Sequence, residues 1–272
     1  INALLGTNIS DAEMIEILRI IGAKVDENNY MVEIPSYRAD VEGEADLAEE
    51  IARFYGYNNI QRTLLEGKAS TVGRKNAKQK VEDRVKAVAR AMSLSEIYTF
   101  SFTSPKVFDM LRIPGGDRLR QAVEIMNPLG EDQRVMRTTT MPQMLEVLSR
   151  NYNRRVEKCG FFELSYIYLP KSLPVTELPE EREVLTIGMY GGVDFYDIKG
   201  VIEEMMAELG ISNFAITPEH QHPSFHSGRT ARLSVEGTDT GVFGEVHPDV
   251  LDAFEIGTRA YIGMIEIQNL VK

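Results

Sequence analysis

"GFFELSYIYLPKSLPVTELPEEREVLTIGMYGG" (160–192) decides how this chain is read. Residues 160–170 and 183–192 are short runs dominated by aromatic, β-branched and aliphatic residues, the composition of strands. Between them lie Pro170, Pro174 and Pro179. Proline fixes φ and has no N–H to give a sheet ladder, so this interval reads as a loop. Strand, loop and strand follow each other with no helix between, which favours antiparallel pairing.

Working outward, "DIKGVIEEMMAELG" (197–210) reads as a helix running to a glycine stop. "ARLSVEGTDTGVFGEVHP" (231–248) reads as a hairpin around 237–240, and "AYIGMIEIQNLV" (260–271) as a last strand. Upstream, "MPQMLEVLSRNYNRR" (141–155) is a helix and "AVEIMNPLG" (122–130) a strand ending in an Asn-Pro turn. "EIYTFSF" (96–102) alternates with Tyr98, Phe100 and Phe102 on one side, as a strand would. A helix over 77–92 carries Val81, Val85, Val88, Ala89 and Met92 on one face. Strands joined by hairpins and helical excursions define an α+β class, an antiparallel sheet with helices laid on it.

Residues 1–64 read as a separate small helical module, with a polar linker near 66–76 and the second domain over 65–272. Ser10 with Glu13 three residues on marks a helix start at 10–22, and Gly22 its stop. "NYMVEIPSY" (29–37) is a short strand closed by Pro35. A second helix puts Ala48, Ile51, Ala52 and Tyr55 on one face and Asp46, Glu49, Glu50 and Arg53 on the other.

The composition narrows the options. No apolar run approaches the roughly 20 residues that span a membrane, and the single cysteine, Cys159, excludes an internal disulfide and fits a reducing, cytoplasmic setting. The net charge of −11 opposes a surface devoted to nucleic acid. Residues 67–90 depart from that average with eight Lys/Arg against two acids, the pattern of a solvated helix face or of a contact for phosphates or an acidic protein. The chain opens on Ile1 rather than Met, so we expect a piece of a longer protein.

The densest charge lies in "RADVEGEADLAEEIARFYGY" (38–57), with six carboxylates between Asp40 and Glu50. Such clustering is tolerated when the charges are solvated, paired with cations, or bound to a metal. Asp46 lies three and four residues before Glu49 and Glu50, so the three share one helical patch, and Asp40 can reach back from the preceding turn. Oxygen ligands without His or Cys would favour a hard cation. The same residues could instead complement the helix dipole, balanced by Arg38 and Arg53.

"IPSYRADVEGEADLAEEIARFYGYNNI", "YTFSFTSP", "MNPLGEDQRVMRTTTMPQMLEVLSRNYNR", "FFELSYIYLP", "VDFYDIKG" and "GVFGEVHP" resemble, in this order, the bacterial phenylalanine–tRNA ligase beta subunit. The resemblance spans nearly the whole chain and implies a central fragment of that subunit. It implies a helical metal-binding module followed by a non-catalytic domain like that of class II aminoacyl-tRNA synthetases. It carries magnesium ligands onto Asp40, Asp46, Glu49 and Glu50. It also implies an alpha subunit as partner in an alpha2beta2 heterotetramer, with tRNA bound by the whole enzyme.

Other candidates are weaker. His220, His222 and His226 have no acid in a zinc-protease spacing and no obvious fourth ligand. Cys159 has no neighbouring base and reads as a packing residue, and the threonines of "RTTT" (137–140) read as caps for the next helix. Class II synthetases place an Arg two residues before a Glu in their second motif. Here Phe161 stands two before Glu163, and no G-x-G-x-x-R occurs in the chain. We therefore expect no catalytic residues and no bound nucleotide. The competing reading is a stand-alone nucleic-acid-binding regulator, since the first module could resemble a winged helix; its excess of acids over bases counts against that.

Overall fold

The two long strands of the quoted stretch lie side by side within the main sheet of the structure, a computed structural model that describes residues 1–64 and 73–271. The chain divides into two compact units, Ile1–Val72 and Gly73–Lys272. The linker expected near 66–76 falls largely on 65–72, outside the described residues.

The first unit contains α1 (Asn2–Leu5), α2 (Asp11–Ile20), β1 (Lys24–Asp26), β2 (Met31–Glu33) and α3 (Glu44–Tyr55). Ser10 caps α2 by accepting the Glu13 N–H. Gly22 ends that turn at φ +86°, and a Cβ there would lie 2.5 Å from the Tyr37 hydroxyl. β1 and β2 form an antiparallel pair, Val25 facing Val32. Ile9, Ile17, Leu18, Ile21 and Ile51 close a small core between α2 and α3.

The second unit contains α4 (Ala77–Ala91), β3 (Ser95–Glu96), β4 (Phe102–Thr103), α5 (Val107–Met110), β5 (Val135–Met136), α6 (Met141–Asn153), β6 (Cys159–Leu169), β7 (Glu180–Tyr190), α7 (Phe195–Glu208), β8 (Phe214–Pro218), β9 (Phe225–Val235), β10 (Thr238–Val246), α8 (Pro248–Ala253) and β11 (Ala260–Glu266). Its sheet has seven strands in the order β3-β6-β7-β11-β10-β9-β8. Only β3 runs parallel to its neighbour; the others pair antiparallel.

The two-residue period of β7 sends its side chains into two cores. Leu185, Ile187 and Met189 meet Val85 and Val88 of α4 and Ile198, Ile202 and Met205 of α7. On the opposite face Tyr190 joins Met144, Leu145 and Leu148 of α6. Gly188 allows α6 to approach, since a Cβ there would come within 2.5 Å of the Met144 side chain.

The structure shortens several expected strands: 29–37 keeps only Met31–Glu33, and 260–271 ends as a strand at Glu266. In 96–102 only the ends pair, and Tyr98 and Phe100 are 79% and 72% exposed. The cause is local: the Thr99 N–H donates 2.7 Å to the Glu163 carboxylate instead of to a neighbouring strand. The strand expected at 122–130 reduces to one bridge, Glu124 with Val135, leaving Met126 and Leu129 exposed. The hairpin turns earlier than 237–240, at Glu236 and Gly237, both at positive φ.

Candidate functional site

Two places gather charge, one in each unit. In the first, Pro35 accepts the Arg38 N–H at 2.9 Å, and the Arg38 carbonyl accepts the Val41 N–H at 3.2 Å. These two turns bring Arg38 beside α3. Its Nε and one terminal nitrogen donate to Asp40 at 3.0 and 2.7 Å, and that terminal nitrogen lies 3.0 Å from a Glu50 oxygen. Arg53 takes the other Glu50 oxygen. Asp40 and Glu50 therefore meet around one guanidinium. Arg38 holds the Asp40 carboxyl below the usual range, and Arg38 followed by Arg53 does so for Glu50.

The other two expected ligands lie elsewhere. Asp46 is the third residue of α3 and accepts the N–H groups of Glu42 and Gly43 at 2.9 and 2.8 Å, serving the helix start. Glu49 is exposed. Glu50, expected on the solvent side, is buried with its two arginines. Among the described residues no group of three or more His, Cys, Asp or Glu is placed to hold a metal ion. The donor chemistry suits a hard cation, but as placed here these carboxylates do not fit magnesium, because a guanidinium stands between two of them and backbone N–H groups occupy a third.

In the second unit the charge lies on the α6 face of the sheet. Glu163 and Arg137 are buried, their side chains 2% and 1% exposed, 3.5 Å apart. Thr99 links them: its hydroxyl lies 2.9 Å from Glu163 and accepts the Arg137 guanidinium at 2.9 Å. Arg137 also donates to the Tyr166 carbonyl at 2.8 Å. Phe161, the residue two before Glu163, packs into the apolar cluster under α6.

Further along that face, a cavity of about 480 Å³ includes Arg182, Arg232, Asp239 and Glu266 in its wall. Arg182 pairs with Glu180 and Glu266 at 2.8 and 3.1 Å. Arg232 pairs with Asp239 at 2.7 Å and with Glu219. Each guanidinium in this wall already faces two carboxylates, so neither is left to balance a phosphate.

The network around Arg137 was missed in the sequence because "RTTT" reads as a capping run. The run does cap α6 in part, the Thr139 hydroxyl accepting the Met141 N–H at 3.4 Å, while the Thr140 hydroxyl meets that of Thr186. The available signal was a lone arginine in an otherwise uncharged "VMRTTTM" stretch. The histidines serve local turns: His220 meets the Ser227 carbonyl, while His222 and His226 accept the Ser224 and Gly228 N–H groups. Burial, aided by Arg232, pushes the His222 imidazole down to about 4. Burial raises the Cys159 thiol above its ordinary value. In the basic stretch, Lys78 pairs with Glu183, and Lys86 and Arg90 with Glu96; Lys68 lies outside the described residues.

The fold is that of an aminoacyl-tRNA synthetase domain. Pyrrolysyl-tRNA synthetase from Desulfitobacterium hafniense superposes with a TM-score of 0.60 at 12% identity, covering 96% of this chain and 88% of that one. The family model for the phenylalanyl tRNA synthetase beta chain CLM domain matches residues 60–267, and that for the tRNA synthetase B5 domain matches residues 1–57. Phenylalanine–tRNA ligase beta subunits of Clostridium tetani and Clostridium acetobutylicum are 42% and 40% identical over 100% of this chain. The chain belongs to the phenylalanine–tRNA ligase beta-subunit family. It spans about a third of the length of these relatives, 34% in both.

Proposed function

We propose that this chain is a structural and assembly portion of a phenylalanine–tRNA ligase beta subunit. It supports, without performing, the ATP-dependent attachment of phenylalanine to tRNA by an alpha subunit. The fate of Glu163 carries this reading. On a synthetase sheet an acid at this place, with a cation two residues earlier, would serve the nucleotide; here the acid is committed to Arg137 and Thr99, and the earlier position is the packed Phe161. Adenylation needs preorganised positive charge where phosphate charge develops. The paired arginines of the sheet cavity do not offer it.

In this reading the division of labour follows residues 1–64, a winged-helix-like module, and 65–272, the synthetase-like domain. The partner is an alpha subunit in an alpha2beta2 heterotetramer in the cytoplasm, and tRNA is engaged by the whole enzyme. Among the described residues no helix is long and apolar enough to cross a membrane. Asp40, Asp46, Glu49 and Glu50 are the carboxylates that magnesium would use in the assembled enzyme, and only if Arg38 and Arg53 release Asp40 and Glu50 and Asp46 releases the N–H groups of Glu42 and Gly43.

Pyrophosphate exchange with this chain, ATP and phenylalanine tests the proposal. The expected outcome is exchange at background level, restored when an alpha subunit is added together with the rest of the beta chain. Turnover by the chain alone, abolished by Glu163→Gln, would overturn it.

A further inference from the structure

A second cleft of the second unit, between α6 and the segment that leads into α5, differs in character from the sheet cavity. We propose that it binds a free α-amino acid with a large apolar side chain, the ammonium held by Gln143 and Glu146 and the carboxylate by Arg150. The proposal goes beyond the assembly role and does not depend on it.

The floor of the cleft is one face of α6. Gln143, Glu146, Val147 and Arg150 follow at i, i+3, i+4 and i+7, so the helix turns all four to one side. All four line a cavity of about 490 Å³, within the roughly 300–1,000 Å³ of small-ligand sites. Gln143 is 4% exposed, and its Oε1 has no hydrogen-bond partner. A buried acceptor left unpaired bears its whole desolvation cost. The unpaired atoms of Glu183 and Arg229 at least face opposite charges; that of Gln143 faces an open cleft.

The charges of the wall are also uncommitted. It holds two cations, Lys106 and Arg150, and two anions, Asp132 and Glu146. Among the described residues none of these four forms an ion pair, whereas each arginine of the sheet cavity holds two carboxylates. Solvent reaches all four, yet desolvation is enough to raise the Glu146 carboxyl above its ordinary value, with Arg150 opposing the shift and Asp132 adding to it. A carboxylate in that condition gains from a cation brought to it.

Balanced charge of this kind gives a phosphate or a polyamine no net advantage, because each meets like charges beside opposite ones. A zwitterion gains from both signs. Its ammonium can donate to Gln143 Oε1 and to the Glu146 carboxylate, and its carboxylate suits the Arg150 guanidinium one turn further along α6. The facing wall is apolar, with Phe102, Val107 and Met110 and the open rings of Tyr98 and Phe100. A large apolar side chain is what such a wall would cover.

The chain contains no tryptophan, so indole fluorescence reports the ligand alone. L-Tryptophan, tryptamine and indole-3-propionate share one ring; the second lacks the carboxylate and the third the ammonium. Equilibrium dialysis against the complete chain should show L-tryptophan retained at millimolar concentration, about tenfold or more tighter than either analogue. Arg150→Met, an exposed change, should weaken L-tryptophan by about tenfold and leave tryptamine unaffected. Gln143→Leu should weaken L-tryptophan similarly while melting no lower than the parent, since it removes an unpaired buried atom. Arg150→Met carries the test if Gln143→Leu does not fold. Equal retention of the three compounds would overturn recognition of a zwitterion. Unchanged binding in Arg150→Met would overturn the site, and no retention of L-tryptophan at millimolar concentration would overturn the proposal as a whole.

Discussion

At the residue scale, the most demanding arrangement is the Arg137–Glu163 pair. Two ionised groups this deeply buried are sustained only because each also holds hydrogen bonds: Glu163 from Thr99, Arg137 to Thr99 and the Tyr166 carbonyl. Removing one partner strands the other, typically at about 3–5 kcal/mol. Arg137→Met should therefore lose stability of that order in urea unfolding. The same change in a Glu163→Gln background should cost clearly less, because no buried charge is then left unpaired. Additive losses in that cycle would show that the two do not act together. Of this only the lone arginine was visible in the sequence. An arginine before three threonines gives a local reader a cap, and its true partners lie at positions 99, 163 and 166. The acidic cluster was legible in part. The burden of negative charge and the two arginines were visible, but the sequence could not tell which carboxylates the guanidinium would clasp.

At the scale of elements, α6 joins the charge network to the core. It begins directly after the buried threonines and lays Met144, Leu145 and Leu148 against the sheet, with Gly188 leaving room beneath. Leu148 is completely buried, so Leu148→Ala removes packed methyl groups and leaves a cavity. We expect a loss of about 2–5 kcal/mol in denaturant unfolding, several times that of the exposed change Glu49→Ala on α3. Long elements of this kind were read correctly: α2, α3, α4, α6, α7 and the strands β6 and β7 all lie, within a few residues, where apolar spacing, composition and caps put them. The misses were elements whose form depends on distant partners. β8 and α8 are too short for periodicity to register. The segment at 97–101 alternates like a strand but gives its central N–H to a carboxylate.

At the scale of the whole molecule, the irregular segment has a second effect. By anchoring Thr99 inward it turns Tyr98 and Phe100 out, two large rings left to solvent. Two neighbouring exposed rings are the kind of surface that a partner would cover. If an alpha subunit covers it, Tyr98→Ser with Phe100→Ser should leave the melting temperature of the chain nearly unchanged. Retention on immobilised alpha subunit should fall by about tenfold or more, as loss of aromatic anchors does at interfaces. Unchanged retention would place the contact elsewhere.

The rims of the seven-stranded sheet have a further consequence. One edge, β3, is two residues long. Past it, the outer side of β6 is met by Arg137, whose carbonyl takes the Tyr168 N–H. The other edge, β8, ends in Pro218, which has no N–H to offer. Neither rim presents a long, flat row of free backbone groups, so a second copy finds little on which to continue the ladder. A domain with bare aromatic rings on its surface is thereby kept from polymerising through its strands.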